Sequence, residues 1–225
     1  MVRKSILVLA LAAFVFTPAA FAKPKVSRNF SISAPASGVL RLVIDIPASE
    51  LTIENGPTGE LAALGTVTRE YRKPNDIRKA QQIVDAASVR FDIQGTRAIL
   101  RRQFGANAKG RRAQSHNTEF NVRVRVPRGT HLEVRQTAGQ VTVKGDFGDT
   151  DIAMRAGDVS VTMPKSAIRE LFARARVGDV KTDIGDRVIT REGILSGATH
   201  YFLEGGRSLL SVKLTTGNVD IRLVD

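Results

Sequence analysis

The sequence has no cysteine among its 225 residues. That excludes disulfides, thiolate metal sites, thiol redox chemistry and a lipid-modified N-terminal cysteine. Small exported domains often depend on disulfides, so this chain must hold together by burial of apolar surface alone. Histidine is scarce as well: His116, His131 and His200 lie far apart and show no HExxH spacing. Each reads as a surface or turn residue rather than a metal ligand. No Gly-x-Ser-x-Gly elbow, phosphate-cradling loop or dinucleotide fingerprint occurs. Acidic residues are in deficit, with 22 Asp and Glu against 34 Lys and Arg, a formal charge of +12. That balance favours polyanionic partners such as lipopolysaccharide, acidic polysaccharide or anionic head groups, unless the excess only solvates a surface.

Long apolar runs are missing except for one. Ser5 to Phe16 is almost unbroken, follows Arg3 and Lys4, and ends before Pro18 and Ala20-Phe21-Ala22. A basic start, an apolar middle and small residues at a cleavage point make residues 1–22 a signal peptide. A run of about a dozen residues is short for a membrane span, which needs about 20. Cleavage after Ala22 leaves 203 residues (225 minus 22), enough for a sizeable core and with no transmembrane span. Export places the protein in the periplasm or at the cell surface and makes nucleic acid the least favoured polyanion.

Residues 23–37 are basic, polar and proline-bearing, and read as an extended lead-in. The remainder, 38–225, reads as a single β-repeat domain. Leu40, Leu42, Ile44 and Ile46 alternate with Val39, Arg41, Val43 and Asp45, and Leu51-Thr52-Ile53 and Ala62 to Tyr71 follow as further strands. One helix is expected at about 75–88. Pro74 and Asn75 open it, and Ile77, Ala80, Ile83, Val84 and Ala87 form its apolar stripe. Val89 to Ile93 and Ala98 to Arg102 make a hairpin about Gln94-Gly95-Thr96. Arg101 to His116 has no apolar period and carries Arg101, Arg102, Lys109, Arg111 and Arg112. It reads as a basic loop, either solvated or in contact with a polyanion. Phe104 stands alone there, so the interleaved aromatics of single-strand nucleic-acid binders are absent. Phe120, Val122, Val124 and Val126 then alternate with Asn121, Arg123 and Arg125 in a clean strand.

From residue 130 a unit recurs: Ala138-Gly139-Gln140-Val141, Ala156-Gly157-Asp158-Val159, Val177-Gly178-Asp179-Val180 and Thr216-Gly217-Asn218-Val219. The glycines are 18, 21 and 39 residues apart, and Gly197 sits near the middle of the last gap. A period of about 20 residues marks a repeat architecture. Glycine reaches positive φ without the roughly 1–2 kcal/mol that other residues meet there. Asp158, Asp179 or Asn218 beside it can bond a backbone amide and hold the bend. Valines after the corner point inward, and no unit can bury its own row, so the units must stack. The pattern predicts a mainly β chain: a β-solenoid, right-handed and β-helix-like, with one short helix. An antiparallel β-sandwich of hairpins is the alternative.

Val122-Arg123-Val124-Arg125-Val126-Pro127, followed by Thr130, Leu132 and Val134 and then the Gly-Gln-Val and Gly-Asp-Val units, resembles the putative-adhesin family of bacterial β-strand repeat proteins, a domain of unknown function. The early strand into Leu51-Thr52-Ile53 and the closing Leu214-Thr215-Thr216-Gly217-Asn218-Val219 extend the resemblance over about residues 38–225. Two departures stand out: Gln140 in place of an acidic corner residue, and a weakened motif at Gly197-Ala198-Thr199. The resemblance implies a β-helix-like fold in the cell envelope, an adhesin-like scaffold for contacts with an envelope protein or glycan, and no catalytic residues or cofactor. A different expectation comes from the acids Asp146, Asp149 and Asp151 around Gly145 and Gly148. A carbohydrate-cleaving enzyme would need two carboxylates facing each other across a cleft. The glycine-rich turn composition favours corner chemistry over catalysis or calcium binding. Gly157→Val is expected to cost over about 1 kcal/mol in unfolding free energy, read by urea denaturation; a change within error would remove the corner role.

Overall fold

A computed structural model describes residues 23–104, 118–185, 187–191 and 197–225. The expected signal peptide at 1–22 therefore lies outside the described residues. The chain is mainly β with one short helix. Its strands are β1 (Lys25–Pro35), β2 (Arg41–Asp45), β3 (Ala48–Asn55), β4 (Glu60–Glu70), β5 (Ala87–Gln94), β6 (Arg97–Phe104) and β7 (Thr118–Val126). They continue as β8 (His131–Lys144), β9 (Thr150–Pro164), β10 (Ile168–Val177), β11 (Val180–Asp183), β12 (Val188–Arg191), β13 (Gly197–Phe202), β14 (Ser208–Thr216) and β15 (Val219–Val224). Helix α1 spans Ile77–Ala86 after a single 3₁₀ turn at Pro74–Asp76. Among the described residues no helix is long and apolar enough to cross a membrane.

All fifteen strands belong to one open sheet, which the corners divide into a first wing (β5, β6, β2, the first halves of β8 and β9, β14, β10 and β13) and a second (β1, β4, β7, β3, the second halves of β8 and β9, β15, β11 and β12). Strand β8 pairs in parallel with β2 through its first half and with β3 through its second. Strand β9 repeats the bend 18 residues later, running from Leu132↔Thr150 to Lys144↔Thr162. Burial parity shows why the bend falls where it does. Leu132, Val134 and Gln136 face inward before the corner, whereas Val141 and Val143 do so after it. A strand keeps one parity, so the switch from even to odd numbers requires a corner between them. The inward rows of both wings form one apolar core, which includes Ile152, Val161, Val212, Ile221 and Val84 of the helix.

Gly157 occupies such a corner at φ +123°. A Cβ placed there would lie 1.8 Å from the carbonyl oxygen of Gly139, far inside contact distance. Gly139, Gly178 and Gly217 adopt the same backbone, at φ +124°, +120° and +126°. Each corner carbonyl abuts the next glycine in the order Ser49, Gly139, Gly157, Gly217, Gly178.

That order is not the order of the sequence. Leu210 pairs with Thr150 and Val219 with Val159, so β14 and β15 lie beside β9. Strands β10 and β11 pair on the other side of β14 and β15. The C-terminal rung is thus inserted between 150–164 and 168–183. Gly197 is not a corner: it opens β13, which runs antiparallel to β10. The 39-residue gap is an excursion through β12 and β13, and it ends in a rung laid back inside the stack. Antiparallel pairing occurs at the margins, in β1–β4–β7, β5–β6, β11–β12 and β10–β13. A closed solenoid is not seen, and a sandwich-like pair of wings is compatible with the pairing.

The stretch 23–37 contains β1, which pairs along its whole length with β4. Arg28 on β1 donates to the carbonyls of Val84 and Ala87, placing a cation at the negative end of the helix dipole. The helix buries Ala80, Ile83 and Val84, and leaves Ile77 exposed.

The short polar residues beside the corner glycines link rungs rather than holding their own turns. Asp158 Oδ1 accepts from the backbone N–H and the side-chain amide of Asn218, each at 3.0 Å. Asn218 Oδ1 in turn accepts from the Asp179 N–H at 3.3 Å. Asn218→Ala should lower unfolding free energy by about 1 kcal/mol and speed hydrogen exchange at the Asp179 amide. Unchanged exchange would show that the ladder carries no stability.

Candidate functional site

The five cations of the expected basic loop do not share one environment. Lys109, Arg111 and Arg112 lie outside the described residues, while Arg101 and Arg102 belong to strand β6, not to a loop. Arg101 faces outward and contacts Asp92 through Nε at 3.2 Å. Arg102 is half-buried, with its guanidinium 5.6 Å from the Phe120 ring and 5.7 Å from that of Phe104. Burial pulls its pKa below the usual arginine value, with nearby Asp45 acting the other way. It packs on the core edge by a cation–π contact with both rings. Arg102→Ala should cost about 1–2 kcal/mol in urea denaturation, and Arg101→Ala under about 1 kcal/mol, because exposed ion pairs contribute little. Equal costs would overturn this division.

The acidic cluster also resolves into separate tasks. The backbone of Asp146 is clamped by the Asn55 side chain, which accepts from its N–H and donates to its carbonyl. Asp149 Oδ1 accepts from the Leu209 N–H at 2.9 Å and so ties the entry of β9 to β14. His131 Nδ1 accepts from the Asp149 N–H at 2.9 Å. Asp151 approaches Lys213 Nζ at 4.0 Å with both side chains more than half exposed. His131, Asp149, Asp151 and Lys213 line a shallow cavity of about 320 Å³ with Arg41 and Glu133, and Asp146 lies outside it. Among the described residues, no group of three or more His, Asp or Glu is placed to hold a metal ion.

The corner residues Gly139, Gly157, Asp158, Gly178, Asp179, Gly217 and Asn218 lie together along one line, and their contacts are with one another across rungs. They build the surface beside them and leave little for a ligand to hold.

The outward side of the first wing has a different character. On β10 the outward residues are Glu170, Phe172, Arg174 and Arg176, set by the burial alternation of that strand. Phe172 pairs with Ser211 on one side and His200 on the other; Arg174 pairs with Lys213 and Ala198. Glu170 stands opposite Leu209 and Phe202. Strand neighbours lie about 4.8 Å apart, and alternate residues about 7 Å apart along a strand. One end of the face therefore collects rings and the other collects cations. The His200 ring centroid is 4.7 Å from that of Phe202 and 6.1 Å from that of Phe172. Glu170 Oε1 holds His200 Nε2 at 2.9 Å and fixes the ring. Phe202 is 74% exposed, an unusual cost for an aromatic side chain on a sheet face. Among the described residues, no carboxylate pairs with Arg155, Arg174 or Arg176.

None of these face residues was singled out as a site from sequence. They come from four strands spread over residues 151–215, and the inserted C-terminal rung is what makes β14 and β10 neighbours. Alternation alone marks them as outward; only the pairing register assembles them.

No family model matches the chain, and no curated protein matches it. Solved structures do. The chain is similar, at 13% identity and a TM-score of 0.44, to a structure described as a putative cell adhesion protein from Clostridium sporogenes; the match covers 88% of this chain and all of that one. A putative adhesin from Parabacteroides distasonis is similar at 12% identity and a TM-score of 0.28, over 65% of this chain and 56% of its own. A putative adhesin from Bacteroides fragilis is similar at 11% identity and a TM-score of 0.20, over 89% of this chain and 98% of its own.

Proposed function

We propose that the protein is an exported, non-enzymatic contact module of the bacterial envelope with an adhesin-like role. In this reading its stacked rungs, solenoid-like through the parallel middle of the sheet, serve as a rigid backing for a binding face. The observation that carries the proposal is the outward face of β9, β14, β10 and β13. There, Arg155, Arg174 and Arg176, which pair with no carboxylate among the described residues, stand beside an exposed aromatic cluster on a hydrogen-bonded sheet. Exposed rings and uncompensated charge are retained on a surface where a partner covers them. The basic, apolar and small-residue order of residues 1–22 supports export, to the periplasm or the outer surface. The acids Asp146, Asp149 and Asp151 support binding over catalysis, since backbone clamping, strand tethering and an exposed ion pair account for their stretch of chain.

Purified protein spanning residues 23–225 is expected to co-sediment with bacterial envelope fractions, and to be released as ionic strength rises from about 0.05 to 0.5 M because screening shortens the reach of its charge. Retention no greater than that of an inert protein of equal charge would overturn the contact role. Release of soluble sugars from the envelope during incubation would instead establish an enzyme.

A further inference from the structure

We propose that the outward face of β14, β10 and β13 is a binding site for an acidic polysaccharide. Phe172, His200 and Phe202 stack on sugar rings, and Lys213, Arg174 and Arg176 pair with the carboxylates. This deepens the contact role proposed above and rests on it.

The two halves of the face suit the two halves of such a polymer. The faces of a pyranose carry C–H bonds whose hydrogens are slightly positive, and they pack against the negative face of an aromatic ring. The His200 ring lies 4.7 Å from that of Phe202, tilted at 50°, and 6.1 Å from that of Phe172, nearly edge-on at 78°. The largely exposed Phe202 offers a free ring face, and none of the three is committed to the core. On β14 and β10 the cations begin one outward position further along, and on β13 the matching position is Ala198. Lys213 and Arg174 are register partners, hence about 4.8 Å apart at the backbone, and Arg176 follows about 7 Å beyond Arg174. A guanidinium binds a planar carboxylate through two parallel N–H donors. A sugar seated on the rings therefore places its own or its neighbour's carboxylate within reach of the basic rows. Arg155, outward on β9, adds a further cation for a longer chain, whereas Arg135 on β8 is held by Glu133.

The distribution of acids selects among polyanions. Glu170 stands within the ring cluster, and Asp151 and Glu133 lie in the row beside Ser211. These carboxylates already hold His200, Lys213 and Arg135, which lowers the net positive charge that a continuous phosphate surface would meet in this row. A polysaccharide offers hydroxyl donors to the same oxygens. The face also lies flat on a sheet, with Arg174 and Phe202 on adjacent strands, rather than on a protruding tip that could insert between lipids.

The test uses the mature protein with alginate, a polyuronate, as the probe, against dextran, phosphatidylglycerol vesicles and single-stranded DNA. Alginate should bind at low salt and dextran should not. The pair Lys213→Glu with Arg174→Glu should weaken alginate binding at least tenfold, and Phe202→Ser several-fold. Arg123→Glu, on the outward side of the other wing, should change it less than twofold. The chain has no tryptophan, so Phe202→Trp supplies a single reporter that retains the ring. Its emission should shift with alginate and stay constant with dextran, and the variant remains informative even where Phe202→Ser folds poorly. Vesicles or DNA binding as tightly as alginate, or alginate binding indifferent to residue 202, would overturn the site. Envelope retention that survives while alginate fails to bind would sink this inference and leave the contact role standing. Loss of envelope retention in the parent protein would remove the contact role itself.

Discussion

Everything in this fold hangs on how closely one backbone can approach the next at the corners. A carbonyl oxygen sits where the Cβ of any other residue would be, at Gly139, Gly157, Gly217 and Gly178 in turn. Four strands can bend at the same height only because each corner lacks a side chain. The bend flips burial parity, so apolar residues on both sides of the corner point into one core. With the corners fixed, the register of both wings follows, and with the register the outward rows are set as well. The charged and aromatic face is therefore a downstream product of a steric condition at positions that contact no ligand.

The inward rows were legible from residue types alone. Val141 with Val143, Ile152 with Met154, Val159 with Val161, and Leu210, Val212 and Leu214 are all buried as alternation requires. The hairpin about Gly95 and Thr96 pairs as expected, from Gln94↔Arg97 to Ala87↔Phe104. The glycine period was equally plain, because a positive φ with no room for Cβ leaves one choice of residue. What remained hidden was the order of the rungs. A sequence period gives the spacing of equivalent corners but not which corner lies beside which. Gly197, midway between Gly178 and Gly217, looked like a missing rung and proved to begin an antiparallel strand.

The candidate face was illegible for the same reason. Lys213 and Arg174 are 39 residues apart and meet through one parallel register. The basic segment that composition did mark is divided by strand β6, whose alternation turns Arg101 outward and tucks Arg102 against two phenylalanines. Charge density along a chain is a poor guide to charge density on a sheet, where neighbours are set by pairing across strands.

The inserted rung bears on how the chain can reach this state. Arg41 meets His131 across ninety positions, Thr150 meets Leu210 across sixty, and the sheet between β9 and β10 is filled by residues 208–224. Closing loops of that length is slow compared with local folding. Until β14 and β15 are delivered, the edges of β9 and β10 face a gap one strand wide. Assembly of the stack therefore waits for residues 208–224 and cannot proceed vectorially from the N-terminus.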